Sequence, residues 1–253
     1  MGLIYQTKSF LYKLQAEYLK VFAKPNKKAI WVFGVQKSGT TAITALISKR
    51  SGKSATLDTP MLWEPYYSKL LSGELHLIDH IKHNPYTFSR QIIKEPVASL
   101  FIKELKTYFE MNKYVMIYRD PHDVIRSILN RLGLPGNKKN VNIKDVNKNW
   151  RVHFGDGKDY IKSLTTLWIN VYKQNEIISD DKCIFVKYED FLKNKMTFID
   201  NLVDQLNLPK KHDITEDLDF NFQVRGDNDV DLIEFFGSEN YEYIKTATKK
   251  YVR

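Results

Sequence analysis

Short apolar runs alternate with longer amphipathic stretches over most of this chain. Residues 3–23 place Leu3, Phe10, Leu11, Leu14, Tyr18, Leu19 and Phe22 at helical spacing. That pattern predicts an N-terminal amphipathic helix over 1–25, closed by Pro25. Ala29 to Phe33 then reads as a buried strand, followed by Gly34 and a helix through Thr41–Ile47. Gln91–Ile93 predicts a strand, 98–112 a helix, and Tyr114–Tyr118 a strand. Pro121–Leu132 predicts a helix with Asp120 as N-cap and Pro121 at its first position. A long helix over 158–179 and a last strand at Cys183–Val186 complete the series. Strands and helices in alternation predict an α/β fold, a central parallel sheet with helices on both faces. Ligands on such sheets bind at the carboxyl ends of the strands.

Two stretches lack a period. Residues 133–157 are rich in Gly, Asn and Lys, and their length predicts a functional lid or mobile segment. Residues 209–253 are polar and weakly patterned. No repeat or linker interrupts the chain, so 26–253 is expected to form one domain.

Composition changes this picture little. The chain has 253 residues, 43% hydrophobic and 13% aromatic, as in soluble globular proteins. No run approaches the ~20 apolar residues of a membrane span. Lys8, Lys13 and Glu17 break any signal-peptide pattern, and Gln6 stands where myristoylation wants Ser or Thr. The one cysteine, Cys183, cannot form an internal disulfide and is expected to be a buried thiol in a reducing compartment. A cytoplasmic location follows, with peripheral membrane contact through the N-terminal helix as a further expectation. The net charge of +9 permits anionic ligands but is spread too evenly to indicate nucleic acid. The six histidines lack paired ligand spacing and there is no cysteine cluster, so no metal site is expected.

The strongest local signal is Gly34-Val35-Gln36-Lys37-Ser38-Gly39-Thr40-Thr41, between a strand and a helix. Backbone N–H groups at a helix start, joined by Ser and Thr hydroxyls, cradle phosphate oxygens. The glycine spacing is that of a Walker A loop, but Thr40 occupies the Walker lysine position and the loop's lysine comes earlier, at Lys37. An NTPase uses its lysine on the β/γ-phosphates and the next hydroxyl on Mg²⁺. A donor with one 5′-phosphate bearing a sulfuryl group instead needs a cation beside the oxygen bridging phosphorus and sulfur, within reach of Lys37.

A second anion site is expected where Tyr114–Tyr118 ends in Arg119-Asp120-Pro121. Ser127, seven residues after Asp120, returns to the same side of the helix after nearly two turns. Arg119 and Ser127 together would hold a phosphate by charge-assisted hydrogen bonds.

The pair of sites resembles the family of sulfotransferases that use 3′-phosphoadenosine 5′-phosphosulfate (PAPS). Lys37-Ser38-Gly39-Thr40-Thr41 is similar to that family's 5′-phosphosulfate loop, and Arg119-Asp120-Pro121 with Ser127 to its 3′-phosphate motif. Lys94-Glu95-Pro96, Trp168 in its helix and the Tyr188-Glu189-Asp190-Phe191-Leu192 segment are supporting echoes. The resemblance implies a P-loop-type fold, PAPS as co-substrate and adenosine 3′,5′-bisphosphate as product. It implies donor contacts from Gln36 through Thr41, Arg119 and Ser127. Arg225-Gly226 is the nearest substitute for the C-terminal basic glycine motif of small-phenol members. That motif and their characteristic His are both missing, which leans the acceptor toward a glycan, glycolipid or protein.

Sulfuryl transfer is in-line, so positioning and charge stabilisation dominate. Lys37 and Lys94 are the candidate cations at the transferring group. Glu64, in Leu62-Trp63-Glu64-Pro65, is the first candidate general base, with His80 and His83 behind it. Trp63, Tyr66 and Tyr67 are candidate acceptor-pocket residues. The rival expectations are a P-loop kinase or NTPase with an altered loop, and a non-catalytic nucleotide-binding module.

Overall fold

The computed structural model describes residues 22–173, 180–219 and 230–252. Five strands form one sheet: β1 (Ile30–Phe33), β2 (Ala55–Thr56), β3 (Ile92–Lys94), β4 (Tyr114–Tyr118) and β5 (Cys183–Lys187). Their order is β2-β3-β1-β4-β5, and every pairing is parallel. Parallel neighbours need crossover connections, and helices supply them. These are α1 (Thr40–Ser51), α2 (Tyr66–Leu71), α3 (Leu77–His83), α4 (Ile102–Lys106) and α5 (Pro121–Leu132). They continue with α6 (Tyr160–Tyr172), α7 (Tyr188–Lys193), α8 (Lys195–Gln205) and α9 (Leu232–Thr248).

Strand periodicity splits the core into two layers. Val32, Ile92, Val115 and Ile117 face α1 and α8, meeting Ile43, Leu46, Ile47, Ile199, Leu202 and Val203. Trp31, Phe33, Ile93, Tyr114, Met116 and Tyr118 face the opposite layer, with residues of α5, α6 and α9. Trp31 is fully buried, stacked on Phe33 at 5.6 Å and edge-on to Phe109 at 5.1 Å. Burying such a ring contributes roughly 2–3 kcal/mol. The three inner strands, β3, β1 and β4, are thus buried on both sides, as a sheet covered on both faces requires.

β1 is central. The chain leaves it toward β2 and β3, then crosses to β4 and β5 on its other side. That reversal opens a crevice beyond the carboxyl end of β1, flanked by the ends of β3 and β4.

Several expectations need correction. The helix expected over 98–112 is two short pieces, a 3-10 turn at Pro96–Leu100 and α4. Phe101, with φ −121°, breaks them apart. The bend carries Ser99 beneath the loop after β1, where its hydroxyl accepts from the Gly34 N–H at 2.9 Å and donates to the Gly34 carbonyl at 3.1 Å. The region 133–157, whose length predicts a lid or mobile segment, is irregular and largely exposed but carries 3-10 turns at Ile143–Asp145 and Arg151–Phe154. Val146, His153 and Phe154 are buried in it, and the Arg151 guanidinium ties Val146 and Lys144 carbonyls at 2.8 Å each. The weakly patterned chain end contains α9, which buries Phe236 and Ile244. Gly237, with φ 69°, kinks it and shifts the apolar phase, which hides the period from a single helical template. Cys183 lies on the edge strand and is half-buried rather than enclosed. Most of the expected N-terminal helix, the 174–179 end of the expected 158–179 helix, and Arg225 and Gly226 lie outside the described residues.

Candidate active site

The loop after β1 turns tightly because its backbone takes a positive φ three times, at Gly34 (148°), Lys37 (71°) and Gly39 (86°). Lys37 has a Cβ and adopts this conformation at a cost, a form of local strain that concentrates at functional sites. Gly39 has no alternative residue: a Cβ there would overlap the ring of Tyr188. Gly39 caps α1 without any side chain accepting from the first helical N–H groups. The helix start therefore presents uncapped donors and the positive end of its dipole to the crevice.

Ser38 behaves differently from its expected role as a phosphate ligand. Its side chain is fully buried, its hydroxyl donates to the Val35 carbonyl at 2.7 Å, and its own N–H is given to that same carbonyl at 3.1 Å. Ser38 braces the loop from beneath. Thr40 is buried at 2% exposure, whereas Thr41 and Gln36 are half-buried at the rim.

Arg119, immediately after β4, reaches across the crevice. Its Nη1 donates to the Lys37 carbonyl at 2.8 Å, which brings the end of β4 against the loop after β1. The guanidinium lies over the Tyr188 ring at 4.6 Å, and the Trp168 indole N–H holds the Arg119 carbonyl at 3.1 Å. Glu189 accepts from the Asp120 N–H at 2.9 Å. Asp120 in turn accepts from the His122 and Asp123 N–H groups at 2.8 and 3.4 Å, as an N-cap should. Ser127 is half-buried on α5. Burial, then the fields of Arg131 and Arg119, push the Lys37 ammonium down to about 8. Bound negative charge would relieve the repulsion from Arg131 and Arg119 that depresses Lys37, so the loop suits an anionic ligand. Sequence reasoning missed Arg131. Its signal was the four-residue step from Ser127, which keeps both on one face of α5.

Lys94, at the carboxyl end of β3, is 1% exposed and its ammonium pairs with Asp58 at 2.6 Å. It is therefore engaged by a carboxylate rather than poised alone. Glu95 is equally buried and accepts from the Thr59 N–H, the Trp63 indole N–H and the Val97 N–H at 2.9, 3.2 and 3.2 Å. Burial outweighs these donors and raises its carboxyl to about 7.

Glu64 is half-buried, and both its oxygens accept from the Ser68 hydroxyl at 2.7 and 2.8 Å. Its neighbour Tyr67 packs on His153, with ring centroids 5.3 Å apart. His153 completes a junction missed by sequence reasoning, because it sits in the unpatterned 133–157 stretch. Its Nε2 takes the Gln36 amide N–H at 3.3 Å, which places the imidazole proton on Nδ1. Burial pushes His153 down to about 4, so it is neutral near neutrality. His80 and His83, the candidates behind Glu64, have structural partners. His80 Nε2 meets the Met61 carbonyl at 2.6 Å, and His83 Nδ1 meets the Asp79 carbonyl at 2.7 Å at the end of α3. Among the described residues, no group of three His, Cys, Asp or Glu side chains could hold a metal ion, and no helix is long and apolar enough to cross a membrane.

Comparison with known proteins agrees with this fold. The fold is similar to sulfotransferase STF9 from Mycobacterium avium, 15% identical over 95% of this chain and 79% of that one, with a TM-score of 0.60. It is similar to mouse sulfotransferase SULT7A1, whose structure is a complex with PAP, 14% identical over 93% and 87% with a TM-score of 0.52. It also resembles sulfotransferase STF1 from Mycobacterium tuberculosis H37Rv, 13% identical over 93% and 79% with a TM-score of 0.51. At these identities the likeness speaks for the fold alone. No curated protein matches the chain. Residues 27–228, which contain the loop, Arg119, Ser127 and the Tyr188-Glu189 support, match the family described as "Sulfotransferase domain", and the chain belongs to that family.

Proposed function

We propose that this sulfotransferase takes its sulfuryl group from PAPS and delivers it to a hydroxyl or amine of a glycan, glycolipid or protein acceptor. The observation that supports the donor assignment is the 2.8 Å bond from Arg119 to the Lys37 carbonyl, which sets the guanidinium beside the loop after β1. The N–H groups at the start of α1, with Thr40 and Thr41, would hold the 5′-phosphosulfate. Arg119 and Ser127, with Arg131 beside them, would hold the 3′-phosphate. Gln36 and the braced Ser38 would keep the loop in shape.

Lys37 would stabilise the negative charge that grows on the bridging oxygen as the sulfur–oxygen bond breaks. Lys94 would contribute only from within its pair with Asp58. Glu64 would accept the acceptor's proton while the acceptor oxygen attacks sulfur in line. The aromatic neighbours of Glu64, Trp63, Tyr66 and Tyr67, support a glycan or other ring-bearing acceptor, since apolar ring faces with a few polar groups suit such ligands. Contact of the N-terminal segment with a lipid surface belongs to the same reading, and a vesicle-pelleting assay with residues 1–24 deleted tests it.

Calorimetry tests the donor assignment. The expected result is metal-independent binding of adenosine 3′,5′-bisphosphate that exceeds binding of ATP with Mg²⁺. Binding of ATP with Mg²⁺ alone would overturn the proposal in favour of a kinase or NTPase. Binding of the bisphosphate without turnover of PAPS against any acceptor in a glycan, phenol and tyrosine-peptide panel would favour a nucleotide-binding module.

A further inference from the structure

Glu95 is a fully buried carboxyl with no place in the donor site, and leaving a carboxylate out of water is costly unless several donors compensate it. Its two oxygens divide their work. Oε1 accepts from the Val97 N–H and caps the 3-10 turn Pro96–Leu100, a local task that a shorter side chain also performs. Oε2 reaches 36 residues away in sequence to the Thr59 N–H at 2.9 Å and also takes the Trp63 indole N–H at 3.2 Å. The adjacent residue, Lys94, holds Asp58 at 2.6 Å. Two consecutive residues at the end of β3 thus grip two consecutive residues at the start of the segment that leads to Glu64. Within that segment Thr59 accepts from the Met61 N–H at 3.2 Å, which shapes the 3-10 turn Pro60–Leu62 just before Trp63 and Glu64.

We propose that Glu95 is a positioning residue for the transfer reaction. Through Thr59 and Trp63 it holds the Glu64-bearing turn in fixed register with the sheet, and hence with the donor crevice. The proposal rests on the donor reading given above and adds a residue that touches neither substrate. A Gln at this position keeps size but has one acceptor oxygen and no charge, so the Thr59 and Trp63 N–H donors meet either an NH₂ or a weaker, neutral acceptor.

The test compares wild type, Glu95→Gln and Trp63→Phe, which removes a single donor and keeps the fold. Three readouts are hydrogen–deuterium exchange, affinity for adenosine 3′,5′-bisphosphate, and turnover of PAPS with chitotetraose, p-nitrophenol or water alone as acceptor. Glu95→Gln is expected to speed exchange in 57–65 at least about tenfold while leaving 34–41 and 114–127 unchanged. The bisphosphate affinity should stay within about twofold, and kcat should fall at least about tenfold with the fastest acceptor. Trp63→Phe should give a smaller change of the same kind. Glu95→Asp, which caps but cannot reach, should resemble Glu95→Gln. Unchanged exchange in 57–65, or unchanged kcat despite a loosened segment, overturns the proposal, as does equal loosening of the whole sheet. Failure of the wild type to bind the bisphosphate would instead defeat the donor reading, and the exchange comparison would still decide whether Glu95 holds the segment.

Discussion

The Arg119 guanidinium donates to the carbonyl of Lys37 at 2.8 Å, across 82 residues of sequence and between the ends of two neighbouring strands. This bond makes Arg119 both a ligand candidate and a clasp on the loop. Arg119→Ala is therefore expected to weaken adenosine 3′,5′-bisphosphate binding by about a hundredfold or more, on the scale of a lost charge-assisted hydrogen bond plus a loosened loop. Ser127→Ala should cost about tenfold at most. Arg119→Lys should recover little, because an ammonium cannot bridge a carbonyl and a phosphate with a planar fork. Calorimetry on the three variants checks the order.

Lys37 makes binding sensitive to alkali. In the free protein its ammonium titrates near 8, held down by burial and by Arg131 and Arg119. An anionic ligand favours the charged form, so its pKa rises in the complex. Affinity should then be flat below about pH 8 and fall as pH rises above it, by up to about tenfold per unit. Calorimetry at pH 8.5 in buffers of different ionisation heat should record proton uptake on binding, and Lys37→Ala should abolish that uptake.

Gly39→Ala should damage the site without touching a charge. The position has φ 86°, and its Cβ would overlap the Tyr188 ring that also supports Arg119. The expected loss is at least about 1–3 kcal/mol of stability, read by melting, with a larger loss of bisphosphate affinity. Adding Tyr188→Ala should not restore either, because the left-handed backbone strain remains.

Glu64→Gln should lower kcat by about 10²- to 10⁴-fold and leave bisphosphate affinity unchanged, the signature of a lost general base. His83→Gln, at the exposed end of α3, should keep near wild-type turnover. A Glu64→Gln enzyme with full kcat would remove Glu64 from the mechanism.

His153 predicts an acid sensitivity. Its folded pKa, about 4, lies below the ordinary value of 6.5 because the ring is buried. The unfolded chain binds that proton more readily, so stability is complete above pH 6.5 and falls as pH drops toward 4. The full effect is about 3 kcal/mol. His153→Gln should flatten this part of the stability profile measured by denaturant titration.

The alternating layers, the loop after β1 and the capped start of α5 were legible because each rests on a local pattern: buried strand runs, glycine spacing, and an Asp-Pro cap. The sheet's carboxyl-edge crevice then followed from topology. What escaped depends on contacts distant in sequence. Ser38 reads as a phosphate hydroxyl, yet in the fold that hydroxyl donates to the Val35 carbonyl. Lys94 reads as a free cation until Asp58 is found beside it. His153 lies in a segment without period, held by tertiary packing and carbonyl-binding arginine rather than by regular structure. Gly237 divides one helical pattern into two phases, so neither half is long enough to stand out.

The strand order has an evolutionary corollary. Everything proposed to grip the nucleotide hangs from β1, β4 and the start of α7, whereas the wall bearing Glu64, Trp63 and Tyr67 is moored to β2 and β3. The two sides of the seam meet where Gln36 touches His153, which packs on Tyr67. A lineage could therefore remodel the moored wall to accept a new alcohol while inheriting the nucleotide grip unaltered.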